Sequence, residues 1–344
     1  MRIAYWTTAC LRPDIEAVSK EVDALANYFK PSMLIATNRH LGLTVNIRDR
    51  IVGLNTQMEL LLRVVGPFIE SVFDINHFYS EVSPWTFFRS VRRKPIVLTI
   101  ASEKGGLFRD FLERCSAIVV QTEGMRRRLE EIGVNHKRIT LIYPGVDLHR
   151  FIPAKCKPSG KAVTILLATF PRTTEEMEAR GINFLLLAAR HCPDINFRLI
   201  GRPWGHGESA AATVRSLIGK AELRNVELIA SFQGDMASVY HTSDFTVIPY
   251  TRPDGGKECP LSLVESMACG IPVLISNQAP LSSFIQKEGA GRVFNLDPRS
   301  FAEVVDQACA DYELLSAASV RAARQHFDIC GMLSAYRKIY QRII

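Results

Sequence analysis

Residues 247–276, VIPYTRPDGGKECPLSLVESMACGIPVLIS, decide the fold. They read as a strand, a polar loop holding Gly255 and Gly256, a helix opening at Pro260 or Leu261, a stop at Gly270, and a second strand whose entry is stiffened by Pro272. A strand, loop, helix and strand in that order make one βα unit of a parallel sheet. Such a loop leaves free backbone N–H groups at a helix start, where unpaired donors and the helix dipole attract a phosphate or diphosphate. Glu265 lies about one turn inside the helix, on the face of Leu261 and Cys269. Its carboxylate can accept two hydroxyl protons, which suits the vicinal hydroxyls of a ribose.

Working outward, the same alternation of apolar and amphipathic segments fills the chain. RIAYW, SMLIA, INHFY, PIVLTI and SAIVV are predicted strands, with helices near 16–29, 55–73, 106–114 and 123–132. After PGVDLHRF and the Lys/Pro/Gly-rich KCKPSGK the pattern restarts with AVTILLA, NFRLIG, VELI, FTVIPY, PVLIS and GRVFNL. This predicts an α/β chain with two tandem Rossmann-like domains, 1–155 and 156–325. The tail, 326–344, is an amphipathic helix whose Leu333, Tyr336, Ile339 and Tyr340 share one face, and it is expected to pack back on the first domain.

Composition narrows the classes. The chain has 344 residues, 47% hydrophobic and 22% charged, enough for two buried cores and far from a disordered or collagen-like chain. The opening MRIAYW carries no signal-peptide pattern, and no apolar run reaches the roughly 20 residues of a membrane span, so a cytoplasmic protein is expected. Eight cysteines without a CxxC pair or Cys/His cluster predict neither zinc nor a disulfide framework. The net charge of +7 is weighted toward the first half, notably Arg89, Arg92, Arg93 and Lys94 and the run Arg126 to Arg128. These side chains either face solvent or meet an anionic partner. No zinc finger, reading helix or aromatic RNA-binding run accompanies them, so no nucleic-acid partner is expected. GxGxxG, Walker A, HExxH, GxSxG and the kinase motifs are absent.

With SMACGIPV following Glu265, the stretch 247–276 resembles the donor-binding signature of the family-four glycosyltransferases. LIYPGVDLHRF at 141–151 and VSKEVDALANYF at 18–29 extend the resemblance over most of the chain. It implies a GT-B fold, two facing Rossmann-like domains with a cleft between them. It also implies retaining, metal-independent transfer of a sugar from a nucleotide-diphosphate donor, UDP- or GDP-linked, to a hydroxyl acceptor in glycan, glycolipid or specialised-metabolite synthesis. No cofactor is required. The acceptor is soluble or lipid-linked, and for a lipid-linked one the helix from Gln57 to Val72 with Arg89 to Lys94 offers peripheral contact with an anionic bilayer. Oligomeric state is left open.

The resemblance also implies site residues. Gly256, Lys257, Cys259, Pro260, Leu261, Ser262 and Glu265 would bind the donor, with Gly201 and Arg202 as a loop over it, or else a plain turn. In LLATFPRTTEEMEARGINFLLLAA, Arg180-Gly181 stands where the family has lysine-glycine and Arg172 where it has an arginine, across a longer spacer. Arg172, Arg180 and Glu258 are the expected catalytic set. The chain departs from the family at three places. Lys257 occupies the position of a first glutamate, with Glu258 one residue later. Ala101 replaces a histidine, near Glu103 and Lys104. A glycine pair is missing around Asp14 to Ala17. His77 is a further candidate acid/base, or else a structural histidine. A phosphorylase- or epimerase-like enzyme, or a non-catalytic nucleotide-sugar-binding or assembly protein, are the alternative readings.

Overall fold

The computed structural model describes every residue except 14–15, 38–40, 47, 49, 56–58, 81–90, 92, 103–108, 154–161 and 202–206. The chain divides into two compact units, Met1–Gly145 with Cys330–Ile344, and Val146–Ile329. The division thus falls earlier than 155 and later than 325. Val146 belongs with the second unit because its N–H donates to the Phe327 carbonyl at 2.7 Å and its own carbonyl accepts the Ile329 N–H at 3.1 Å.

In the first unit the strands are β1 (Ile3–Thr7), β2 (Ser32–Thr37), β3 (Thr44–Asn46), β4 (Ile51–Leu54), β5 (Ile75–Ser80), β6 (Ile96–Ile100), β7 (Ala117–Val120) and β8 (Ile139–Leu141). The helices among them are α1 (Ala17–Tyr28), α2 (Glu59–Val72), α3 (Arg109–Arg114) and α4 (Glu123–Glu131). Among the described residues the sheet runs β3-β4-β2-β1-β5-β6-β7-β8. Only the β3–β4 pair is antiparallel. Every residue of β1, β6 and β7 is buried, as expected of parallel strands covered on both faces.

The second unit carries β9 (Thr164–Leu167), α5 (Glu176–Ala179), α6 (Ile182–His191), β10 (Asn196–Gly201), α7 (Gly207–Lys220), β11 (Val226–Ala230), α8 (Met236–His241) and β12 (Phe245–Ile248). It continues with α9 (Leu261–Ala268), β13 (Val273–Ser276), α10 (Ser282–Glu288), β14 (Gly291–Phe294), α11 (Pro298–Ala310) and α12 (Tyr312–His326). Its sheet is parallel in the order β11-β10-β9-β12-β13-β14. The last helix, α13 (Ile329–Ile343), buries Met332, Leu333, Tyr336, Ile339 and Tyr340, the stripe its 3.6-residue period brings to one face.

That stripe meets the first sheet, and of the two readings of His77 it selects the structural one over the acid/base. His77 is wholly buried within β5, its Nδ1 hydrogen-bonded to Tyr340 Oη at 2.6 Å and its Nε2 to Thr99 Oγ1 at 2.8 Å. Thr99 Oγ1 in turn bonds Tyr336 Oη at 2.9 Å. Burial holds the imidazole pKa down to about 3, so the ring is neutral and structural. Ala101 is buried just after β6, while Glu103, Lys104 and Asp14 lie outside the described residues.

Candidate functional site

In the second sheet the chain runs from β9 outward to β10 and β11, then returns to the other side of β9 for β12, β13 and β14. At such a switch point the loops after the two central strands leave in opposite directions and open a crevice at the strands' carboxyl ends. The loop after β9 carries Thr169 to Arg172, and the loop after β12 carries Tyr250 to Pro260. The sequence therefore delivers both candidate arginines and the glycine-rich loop to the same edge of the sheet.

Glycine makes the loops fit. Gly181 has φ 72° at the start of α6, and a Cβ there would run into the Pro249 carbonyl. A Cβ on Gly255 would strike the Ala179 carbonyl, and one on Gly256 the Tyr250 hydroxyl. Thr251 binds the same turn, its N–H donating to Ala179 O at 3.1 Å and its hydroxyl to Glu178 O at 3.0 Å. Gly201, closing β10, is buried with its open side toward the Phe170 ring, 3.0 Å from where a Cβ would stand. Arg202 lies outside the described residues.

The arginines differ in exposure. Arg180 is half-buried: its Nη1 donates to Thr169 O at 3.1 Å and its Nε lies 3.4 Å from Glu176 Oε2. Arg172 is exposed, and its backbone N–H donates to that same Glu176 oxygen at 3.0 Å. The extra spacer residues thus form α5, whose Glu176 ties the two positions to one carboxylate. Beside Arg180, Tyr250 Oη and Thr169 Oγ1 are buried without completing a hydrogen bond. Burial raises the Tyr250 phenol pKa against the opposing pull of Arg180 and Thr169, which keeps Tyr250 a neutral donor.

Helix α9 begins at Pro260, which supplies no side-chain cap, and its second residue, Ser262, has a buried hydroxyl without a partner. All eight helix residues are buried, and Ser266 bolts the helix to the strand before it, donating to Thr246 Oγ1 at 2.7 Å. Lys257 is half-buried, whereas Gly256, Glu258, Cys259, Pro260 and Leu261 are buried. Glu265 is 7% exposed and accepts a hydrogen bond from the fully buried Tyr240 at 3.1 Å. One turn further on, burial and the neighbouring Glu265 push the Cys269 thiol pKa up to about 12, so it stays a thiol.

Thr169, Glu176, Tyr240 and Tyr250 escaped the sequence reading because no motif marks them. The signal for Tyr250 was present, since a bulky aromatic two residues past an apolar strand must turn somewhere under the loop. Tyr240 and Glu176 are defined by partners in other elements.

The sequence model of the family described as Glycosyl transferases group 1 matches residues 175–325, and that of Glycosyltransferase Family 4 matches residues 56–150. The chain is similar to the D-inositol 3-phosphate glycosyltransferase of Kineococcus radiotolerans, 24% identical over 261 residues covering 68% of this chain and 58% of that one. It spans about half the length of the curated relatives it matches. In fold it resembles the crystal structure of Anabaena Alr3699/HepE in complex with UDP-glucose, with TM-score 0.78, 14% identity and coverage of 99% and 100% of the two chains. It likewise resembles a glycosyltransferase from Rickettsia africae ESF-5, with TM-score 0.77, 15% identity and coverage of 99% and 98%. These likenesses are to the two-domain GT-B fold.

Proposed function

The chain belongs to the group 1, family-four glycosyltransferases, and from that premise we propose that it moves a sugar from a nucleotide-diphosphate donor to a hydroxyl acceptor. The observation that carries the reading is the head of α9. An uncapped helix start follows Gly255 and Gly256 at the switch point, the Ser262 hydroxyl there is unpartnered, and Glu265 lies one turn behind. Buried polar atoms without partners are costly in a folded chain, and a bound diphosphate supplies acceptors for the Ser262 and Tyr250 hydroxyls, with the Arg180 guanidinium beside them. The donor diphosphate then rests on the N–H groups of Leu261 and Ser262 with Arg180 beside it, and the Glu265 carboxylate accepts the ribose hydroxyls.

In this reading transfer is retaining and independent of a metal ion, because Arg180 and the helix head meet the charge developing on the leaving diphosphate. Arg172 stands further out as a second cation, Gly201 and Arg202 close over the donor, and Glu258, buried beside the loop, holds the sugar. A UDP-linked donor is favoured by the likeness to a protein whose structure holds UDP-glucose, with GDP as the other expected base. The acceptor is soluble or lipid-linked. No helix among the described residues is long and apolar enough to cross a membrane. The exposed Val64, Phe68 and Val72, one face of α2, support peripheral contact for the lipid-linked case. A non-catalytic nucleotide-sugar binder is not favoured by the enzymes this chain resembles.

The test is a thermal-shift panel of UDP-, GDP- and dTDP-linked sugars, since a ligand that binds only the native state stabilises it by about 2.7 kcal/mol at a hundredfold excess over Kd. At least one donor is expected to raise Tm and then to be consumed in the presence of an acceptor. Failure of all three nucleotide classes at saturating concentration overturns the reading. NMR of the product's anomeric centre tests retention, and undiminished turnover in EDTA tests metal independence.

A further inference from the structure

Glu265 is an unusual residue for its surroundings. Helix α9 is buried on every side, and a carboxylate inside such a helix loses hydration that its protein partners must replace. A glutamine or methionine would fill the same volume at lower cost. Among its contacts is one from another element: Tyr240, in α8, donates its phenol O–H to Glu265 Oε2 at 3.1 Å. Tyr240 is itself held firmly. Asp235 caps α8 by accepting the Ala237 N–H at 3.1 Å, and the Tyr240 ring meets Phe151 edge-on with centroids 6.3 Å apart. Its side chain is fully buried, so the phenol reports to Glu265 and not to solvent.

We propose that Tyr240 is a positioning residue for nucleotide recognition, fixing the Glu265 carboxylate in the rotamer that accepts the ribose hydroxyls. The proposal rests on the reading of Glu265 given above. A glutamate side chain has three rotatable bonds, and the phenol anchors one oxygen while a carboxylate's several lone-pair positions leave capacity for further donors. Held this way, the carboxylate is preorganised before the ligand arrives, so binding does not have to order it. Without the phenol that carboxylate oxygen loses an anchor, and the hydroxyls lose a fixed acceptor.

The experiment measures Kd by titration calorimetry for UDP and GDP and for their 2′,3′-dideoxy counterparts, on the full chain and on Tyr240→Phe, with Tm recorded for each. Wild type is expected to prefer the ribonucleotide by roughly 30-fold, and Tyr240→Phe to shrink that preference to about 3-fold, the scale of a lost charge-assisted hydrogen bond. In a Glu265→Ala background, Tyr240→Phe is expected to change the preference no further. A purely structural tyrosine would lower Tm and leave the preference intact, and that result overturns the proposal. Equal wild-type binding of ribo- and dideoxynucleotide is a different failure: it removes Glu265 from ribose recognition and takes the proposal with it.

Discussion

The two units differ in where their buried polar side chains find partners. In the first, His77, Thr99, Tyr336, Tyr340 and Tyr5 bond one another across β1, β5, β6 and α13. Glu21 there accepts from both Tyr79 and Gln121. In the second, Thr169 Oγ1, Tyr250 Oη and Ser262 Oγ stay unpartnered at the carboxyl ends of β9 and β12 and the start of α9. The first unit has such atoms as well: Thr37 Oγ1 and Gln121 Oε1 at or just past strand ends, and, in α4, Arg126 Nε and Oε2 of its ion-pair partner Glu123. Completed networks hold elements together, whereas groups left incomplete at the edge of a parallel sheet keep hydrogen-bonding capacity, which the proposed function assigns to the donor.

Substitutions in the second unit's crevice are therefore expected to move ligand affinity, and those in the first unit's network to move stability. The largest expected effect is Glu265→Ala, which should weaken UDP or GDP binding by about a hundredfold in calorimetry, the scale of losing hydrogen bonds to a charged group. Arg180→Ala should weaken the same binding by roughly 30-fold, with Arg180→Lys recovering charge but not the forked geometry and landing between the two.

Tyr340→Phe should do the reverse. Leaving His77 Nδ1 without its partner lowers unfolding stability by about 1–2 kcal/mol in urea, with nucleotide Kd unchanged. A changed Kd would break the separation between the two regions.

A pH series sharpens it. Native His77 stays neutral down to about 3, while in the unfolded chain it takes a proton near 6.5. The unfolded state therefore binds more protons throughout that window, so this contribution is whole above 6.5 and is lost as pH falls, at roughly 1.4 kcal/mol per pH unit. The difference in stability-versus-pH slope between wild type and His77→Gln below pH 6.5 measures it, and matching slopes would contradict the burial described here. The smallest effect belongs to Phe68→Ser on the exposed face of α2. Stability should move by less than about 0.5 kcal/mol. Sedimentation with anionic vesicles should fall if the peripheral contact is real.

Much of the architecture could be read along the chain. NFRLIG is β10 from end to end, and the helix expected at 123–132 is α4, capped by Thr122, which accepts the Met125 N–H at 3.1 Å. The short antiparallel pair β3 and β4 was missed because β3 is exposed throughout and carries no apolar run. The head of α9 and Glu265 were legible as a helix start behind two glycines, since both depend on residues a few positions apart. Which of its two readings His77 takes was not legible for the opposite reason: its partner Tyr340 lies 263 positions away, so nothing near it in sequence says that its strand face is covered.

Periodicity, glycine placement and the order of strands and helices are local properties, and from them the residues alone specified two α/β units and a helix start behind two glycines. Whether a polar side chain is spent or free is not local, because hydrogen-bond completion is settled by whatever distant element folds against it. Packing alone determined that α13 satisfies His77, that Tyr240 holds Glu265, and that Glu176 links Arg172 to Arg180.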